Sequence, residues 1–386
     1  MDKLKIPKLR FPSFNAEWEE KKIKNILNRV NSPVCVVANK KYKQIGIRSH
    51  GKGIFYKEEV AGSELGNKRV FWVEPNTFIV NIVFAWEQAI AKTTSNELGM
   101  IASHRFPMYR PQDKVLDLDF ITIYFKTKRG KQRLELASPG GAGRNKTLGQ
   151  KEFEGLKIKI PNILEQNKIA NFLTTVDTKI QQFTSKKELL TKYKKGVMKK
   201  IFSQEIRFKD DEGNEFPEWE DKQLGDCLDY EQPTNYLVNS TEYDNSYTTP
   251  VVTAGKTFIL GFTNETDGIF ENYLPVIIFD DFTTATQYVT FPFKTKSSAM
   301  KILLPKKDIN IKFVFEAMQL IQYELGGHGR HWISIFSFLT IQLPSYSEQQ
   351  KIATFLTEID NKIDNVTKKL EKVQLWKKEL FKQMFL

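Results

Sequence analysis

Residues 161–180 read P-N-I-L-E-Q-N-K-I-A-N-F-L-T-T-V-D-T-K-I, and residues 344–363 read P-S-Y-S-E-Q-Q-K-I-A-T-F-L-T-E-I-D-N-K-I. Twelve of these twenty positions are identical at a separation of 183 residues, without a gap, including Glu165/Glu348, Gln166/Gln349, Ile169/Ile352, Leu173/Leu356 and Asp177/Asp360. An ungapped repeat of this kind limits the possible folds sharply, because both copies must form the same element in equivalent surroundings.

That element is a long helix. In the second copy an apolar seam alternates by four and three through Ile352, Leu356, Ile359, Ile363, Val366, Leu370, Val373, Leu380 and Met384, broken only by Lys377. The first copy runs Ile169, Leu173, Val176, Ile180, Phe183, Leu190, Val197 and Ile201, with Lys187 and Lys194 as interruptions. The period is that of a coiled coil. Neither stretch holds a proline, Gly196 is the one glycine, and Ser347 with Gln350 fits a capping box. About 38 residues at 1.5 Å each would span roughly 57 Å. A seam of that length needs another long helix as its cover, and the natural partner is its own copy.

The repeat has a second edge. F-P-S-F-N-A-E-W-E-E-K-K-I from Phe11 is echoed by F-P-E-W-E-D-K-Q-L from Phe216, aligning Trp18/Trp219, Glu19/Glu220 and Lys21/Lys222 at a separation of 201. Each half therefore has an opening motif, a variable body and a closing helix. The bodies differ in length and hardly resemble each other in sequence. In the first, 70–73 and 78–84 read as buried strands and 119–127 as a strand or short helix, although the loosely corresponding 312–322 reads as helical. In the second, 249–255, 276–282 and 288–293 read as strands. Both bodies end alike, with a glycine-arginine loop (140–148 and 326–333), a strand (156–161 and 339–344), a proline and the long helix. The expected organisation is mixed α/β: a first body over 1–160, a helix over 161–202, a polar linker over 203–215, a second body over 216–343 and a helix over 344–386. Two globular domains would be joined by two long antiparallel helices in a coiled coil with pseudo-twofold internal symmetry.

At 386 residues the chain can bury two ordinary cores, and 29 Phe, 13 Tyr and 6 Trp exclude a disordered polybasic chain. A net charge of +12 points to an anionic partner. The two helices carry eight of those twelve charges, much of it expected on a solvated coiled-coil face. Two isolated cysteines, Cys35 and Cys227, exclude a zinc cluster or a disulfide framework. The N-terminal M-D-K-L-K-I-P-K-L-R has no apolar signal core, and no stretch reaches transmembrane length. A cytoplasmic protein with no membrane attachment is expected.

The candidates for nucleic-acid contact lie in the loops. Gly143, Arg144 and Lys146 lie in the first glycine-arginine loop and Gly329, Arg330, His331 and Trp332 in the second, the histidine-rich second loop departing from the Arg144-Asn145-Lys146 of the first. Glycines let a backbone approach phosphate, and arginine offers a planar donor fork for phosphate or a guanine edge. Arg48, His50, Lys52, Arg105, Lys256, Gln287 and Tyr288 are further candidates, basic, amide or aromatic residues in predicted loops. Ile169, Leu173, Val176, Ile180, Ile352, Leu356, Ile359, Ile363, Val366 and Leu370 are the candidates for helix–helix packing.

Catalytic signatures are missing. The sequence has no phosphate-binding glycine loop of the P-loop or G-x-G-x-x-G kind, no Asn/Asp-Pro-Pro-aromatic tetrapeptide, and no metal-ligand spacing among its four histidines. Glu19-x-Lys21 and Glu220-x-Lys222 imitate part of a nuclease metal site but sit in the repeated opening motif, where a surface turn is the simpler reading. No catalytic or metal-binding residue is expected.

The pattern resembles the specificity (S, or HsdS) subunits of type I restriction-modification systems. The resemblance rests on W-E-x-K-x-[IL] opening each half, on the duplicated Pro…E-Q-x-K-I-A-x-F-L…D-x-K-I block, and on the similar ends at Lys194–Phe202 and Lys377–Phe385. It implies that each body is a target recognition domain reading one half of a split, asymmetric site in double-stranded DNA. The helices would serve as the ruler that fixes the spacer. It also implies that the chain binds no cofactor itself. Two HsdM subunits would methylate adenine N6 from S-adenosylmethionine, and two HsdR subunits would use ATP and Mg²⁺ to restrict. The alternatives are a coiled-coil scaffold, a nuclease with unfamiliar carboxylates, an antirestriction DNA mimic, which the positive charge disfavours, and the specificity subunit of a system cutting on both sides of its site.

Overall fold

The two repeated stretches are helical in the computed structural model, which describes residues 6–140, 146–255, 257–323 and 331–385. They form helices Ile163–Phe202 and Tyr346–Gln383, of 40 and 38 residues. Each starts directly after its proline. Asn162 Oδ1 accepts from Glu165 N at 3.0 Å, and Ser345 Oγ accepts from Glu348 N at 3.5 Å. The second cap is thus Ser345 and not the Ser347/Gln350 pair, because Ser345 is the first hydroxyl after Pro344 and Ser347 already lies in the first turn.

Every seam position of both helices is buried or half-buried. Two of the lysines that interrupt the seam answer to carboxylates: Lys377 pairs with Asp177, and Lys194 sits 2.7 Å from Asp360 and 2.8 Å from Glu316.

The chain divides into two compact units, Met1–Thr184 with Lys368–Leu386, and Ser185–Thr367. Each unit takes the beginning of one long helix and the end of the other, which is the order of antiparallel helices. In the first unit Ile169, Leu173, Val176 and Ile180 join Leu380, Met384 and Phe385 in the core of the body, and Leu370 is half-buried. In the second, Ile352, Leu356, Ile359 and Ile363 join Met198 and Ile201, and Val366 is buried.

Opening motif and closing strand form one antiparallel ribbon per unit. Glu19–Lys22 pairs with Lys157–Ile160, Glu19 opposite Ile160, and Glu220–Gln223 pairs with Thr340–Leu343, Glu220 opposite Leu343. Between the ribbon strands, the unlike bodies share a design. The first has a four-stranded antiparallel sheet ordered Leu27–Val30, Met108–Pro111, Phe78–Val80, Ile90–Lys92. The second has Leu228–Glu231, Met300–Pro305, Val276–Asp280, Thr286–Val289 in the same order. A hairpin with a parallel neighbour follows in each: Lys41–Ile47 with Ile54–Ala61 and Ile101–Ser103, and Thr249–Val252 with Ile259–Thr263 and Lys294–Thr295.

The ambiguous 119–127 segment is helical, Leu118–Lys126, like its sister Ile311–Met318. Asp117 Oδ1 and Asn310 Oδ1 cap the two helices at 2.7 and 3.1 Å from Phe120 N and Phe313 N. The strand expected over 78–84 stops at Val80, because Asn81 Oδ1 accepts from Val83 N at 3.1 Å and turns the chain.

The repeated Glu-Gln pair explains how body and helix are held together. Glu165 is buried and accepts from Arg10 Nε and Nη2, both at 2.7 Å, and from Trp18 Nε1 at 3.4 Å. Glu348 accepts from Arg207 Nε and Nη2 at 3.0 and 2.8 Å, and from Trp219 Nε1 at 3.0 Å. Gln166 accepts from Asp117 N at 2.9 Å and donates to Pro161 O and Val115 O at 2.8 and 2.9 Å. Gln349 does the same with Asn310 N at 2.8 Å, Pro344 O at 2.9 Å and Asp308 O at 3.5 Å. Beside each knot, a helix-ending phenylalanine meets the opening tryptophan edge to face: Phe385 with Trp18 at 6.4 Å and Phe202 with Trp219 at 6.2 Å. Of the repeated identities, the Glu165/Glu348 and Gln166/Gln349 pairs are therefore buried polar joints.

Candidate nucleic-acid interface

The loop candidates of the first unit converge on one segment, Ile82–Gln88. His50 N and Gly51 N donate to Glu87 O and Gln88 O at 2.7 and 2.8 Å, which pins the hairpin loop carrying exposed Arg48, His50 and Lys52. That loop passes through positive φ at His50, Gly51 and Gly53 (60°, 63° and 82°), a path that two glycines make accessible. Arg48 lies over the Phe55 ring at 5.0 Å and donates to Ile54 O at 3.1 Å. Arg105 is exposed, and its carbonyl accepts from Ile82 N at 3.0 Å. The Lys146 ammonium stands 5.9 Å from the Trp86 ring centre, and Leu148 N donates to Ile82 O at 2.8 Å.

The second unit repeats this construction at Asp281. His331 N donates to Asp281 O at 3.0 Å, and His331 lies 183 positions beyond Leu148. Asp280 Oδ1 caps the turn as Asn81 does, accepting from Phe282 N and Thr283 N at 3.0 and 2.7 Å. The returning ends of both glycine-arginine loops are thus tied to the same sheet turn. Gly143, Arg144, Lys256, Gly329 and Arg330 lie outside the described residues.

His331 and Trp332 do not fit base contact. They are 3% and 2% exposed. His331 Nδ1 lies 2.7 Å from Asp281 O, Trp332 N donates to Asp281 Oδ1 at 2.9 Å, and the Trp332 ring meets Phe279 at 5.3 Å. These side chains anchor the end of the loop in the core, where no groove edge can reach them. Asp281 is itself buried, 3.3 Å from the buried Lys301. Tyr288 is half-buried against Phe315, with the Lys312 ammonium 4.9 Å over its ring, and burial raises its phenol above the ordinary range. Gln287 is half-exposed on the same strand.

A cleft of about 220 Å³ beside the first helix is lined by Gly53, Lys92, Asp119, Lys126, Thr174 and Asp177. Burial holds the Lys126 ammonium below the usual lysine range. Among the described residues, no group of three or more histidines, cysteines or carboxylates is placed to hold a metal ion, and no helix is long and apolar enough to cross a membrane.

The residues singled out from the sequence for nucleic-acid contact include none inside Ile82–Gln88 or Asp281–Ala285. The sequence reading also missed Arg10 and Arg207, although the echo Leu9-Arg10-Phe11 and Ile206-Arg207-Phe208 carries the signal at a separation of 197. Arg207 and Phe208 fall in the segment read as linker, yet Phe208 packs on Phe355 at 5.7 Å, as Phe11 packs on Phe172 at 5.7 Å.

Known proteins share this architecture and sequence pattern. The chain is 46% identical over 149 residues to the type I restriction enzyme EcoR124I/EcoR124II specificity subunit of Escherichia coli, covering 37% of each chain. It is 28% identical over 155 residues to the type I restriction enzyme MjaVIII specificity subunit of Methanocaldococcus jannaschii, covering 39% of this chain and 35% of that one. The matched stretch spans little more than a third of either relative. A crystal structure of the type I restriction-modification S subunit from M. genitalium superposes over 99% of both chains with a TM-score of 0.68 at 17% identity, a likeness of fold. Residues 15–192 and 217–375, both halves of the repeat, match the type I restriction modification DNA specificity domain, and the chain belongs to that family.

Proposed function

We propose that this chain reads DNA sequence for a type I restriction-modification enzyme, each body recognising one half of a split, asymmetric site in double-stranded DNA. One observation carries the reading: two bodies of unlike sequence stand on the same sheet order inside duplicated frames. Such a construction presents two different surfaces in equivalent ways, as reading two unlike half-sites requires. Family membership and the net charge of +12 support the same reading.

On this reading the chain is non-catalytic and cytoplasmic and binds no cofactor. Methyl transfer from S-adenosylmethionine to adenine N6 falls to two methylating partner subunits (HsdM). ATP- and Mg²⁺-dependent restriction falls to two further subunits (HsdR). Arg48, His50, Lys52, Arg105, Lys146, Gln287 and Tyr288 are the described candidates for DNA contact. The test is co-expression with the neighbouring methyltransferase gene, followed by mapping of N6-methyladenine across the host genome. A single motif of two unlike half-sites at fixed spacing is expected. A soluble complex that adds no methylation would overturn the reading in favour of a scaffold.

A further inference from the structure

The two sheet turns that receive the loop ends each expose one phenylalanine. Phe84 follows Ile82 by two residues and is 44% exposed; Phe282 follows Asp281 directly and is 49% exposed. Their backbones are pinned. Phe84 N donates to Asn81 O at 3.1 Å, and its carbonyl accepts from Glu87 N and Ala89 N, each at 3.0 Å. Phe282 N is held by Asp280 Oδ1, and Thr284 N closes the turn on Asp280 O at 2.9 Å. A large apolar ring in water on a rigid turn gains nothing for the fold, but it meets a flat partner at little cost in ordering. The two bodies are otherwise unlike in sequence, so an exposed ring at the same turn of both is not a by-product of the duplicated frame. In the first unit the surrounding groups include the cationic Arg105, Lys146 and the pinned loop of Arg48 and Lys52, against the carboxylate of Glu87, which accepts from Ser49 Oγ at 2.9 Å, and a duplex is the flat partner that also satisfies cations.

We propose that Phe84 and Phe282 are base-contacting residues, one for each half-site, each laying its ring as an apolar wedge against base faces. This rests on the DNA-reading function proposed above. Side chains of this kind pack between or against bases and need no phosphate contact.

The test uses the complete chain with its methylating partner subunits, on a duplex carrying the methylated motif. Phe84→Ala and Phe282→Ala are each expected to weaken specific binding about ten-fold, and the dependence of log affinity on log salt should keep its slope, because no phosphate contact is lost. Phe84→Trp and Phe282→Trp should restore most of the affinity. Each alanine variant should relax base preference in one half-site only. Both side chains are exposed, so melting temperatures should not move. If the wild-type complex is specific and the alanine variants bind within about two-fold of it, the proposal fails while the DNA-reading function stands. If the wild-type complex has no specific site, both fail. A variant that no longer assembles with the methylating subunit would overturn the proposal by making the ring a protein contact.

Discussion

Asp177 and Lys377, one on each long helix, form an ion pair in the first unit, and their counterparts 183 positions away, Asp360 and Lys194, form one in the second. What reads in the sequence as two flaws in an apolar seam is one polar contact made twice. Lys377→Glu would set like charges together and is expected to lower the melting temperature by about 2–4 °C, corresponding to about 1 kcal/mol. Adding Asp177→Lys should recover most of that loss. A double variant no better than the single one would mean that the pair contributes nothing.

Asp360 also predicts a pH response. Burial pushes its carboxyl up, but the ammoniums of Lys194 and Lys312, 2.9 and 2.7 Å from Oδ2, outweigh burial and hold it below the ordinary range. A carboxylate depressed in the folded state stabilises fully above its unfolded value of about 3.9, and that contribution is lost as pH falls through the folded value. Asp360→Asn should therefore flatten the acid limb of the stability curve below about pH 4. Urea unfolding at pH 3, 4 and 7 tests this, and parallel curves for variant and wild type would refute it.

Removing Arg10 leaves the buried Glu165 carboxylate without its forked partner. Arg10→Ala is expected to cost about 3–5 kcal/mol, far more than a surface pair. Arg207→Ala should do the same to Glu348. Chemical denaturation measures both, and a loss below about 1 kcal/mol would place the pair among surface contacts.

Gln166 donates to two carbonyls and accepts from one amide. In Gln166→Glu a carboxylate would face both carbonyl oxygens, which raises its folded pKa above the unfolded value of about 4.3. The sign follows: the variant is least impaired below that value and loses stability as pH rises through the folded pKa. Its melting temperature should trail the wild type more at pH 8 than at pH 5. Gln349→Glu provides the internal duplicate.

The two thiols should separate cleanly. Cys35 is exposed, whereas Cys227 is buried and burial pushes its thiol up to about 11. A thiol reagent at pH 8 should label Cys35 quickly and Cys227 only after unfolding, and Cys35→Ser should abolish the fast phase.

The helices, their seam and the duplicated frame were legible because each is written in local order: a 3.5-residue period, a proline before each helix, and identities at constant separation. The Leu118–Lys126 helix was ambiguous because its run of Phe, Ile, Thr and Tyr favours a strand locally, and burial against the core decided otherwise. The common sheet order of the bodies was invisible, since strands as short as Phe78–Val80 carry no period to read. His331 and Trp332 looked like surface readers because a glycine-rich loop precedes them; their burial against Asp281 and Phe279 comes from a strand some fifty residues earlier. Arg10 and Arg207 escaped because insertions change the separation from 183 to 197, although the Arg-Phe pair was there to be found.

The division of the helices between the units also dictates an order of birth. The second unit is one continuous stretch, Ser185–Thr367, whereas the first is closed by Lys368–Leu386. During synthesis the amino-terminal body emerges first but lacks Leu380, Met384 and Phe385 from its core until their own codons are read. At 5–20 residues per second, the residues from Ser185 to Phe385 take roughly ten to forty seconds to appear. For that interval Trp18 and Phe120 wait without the phenylalanine that closes over them, so the half made first is the half finished last.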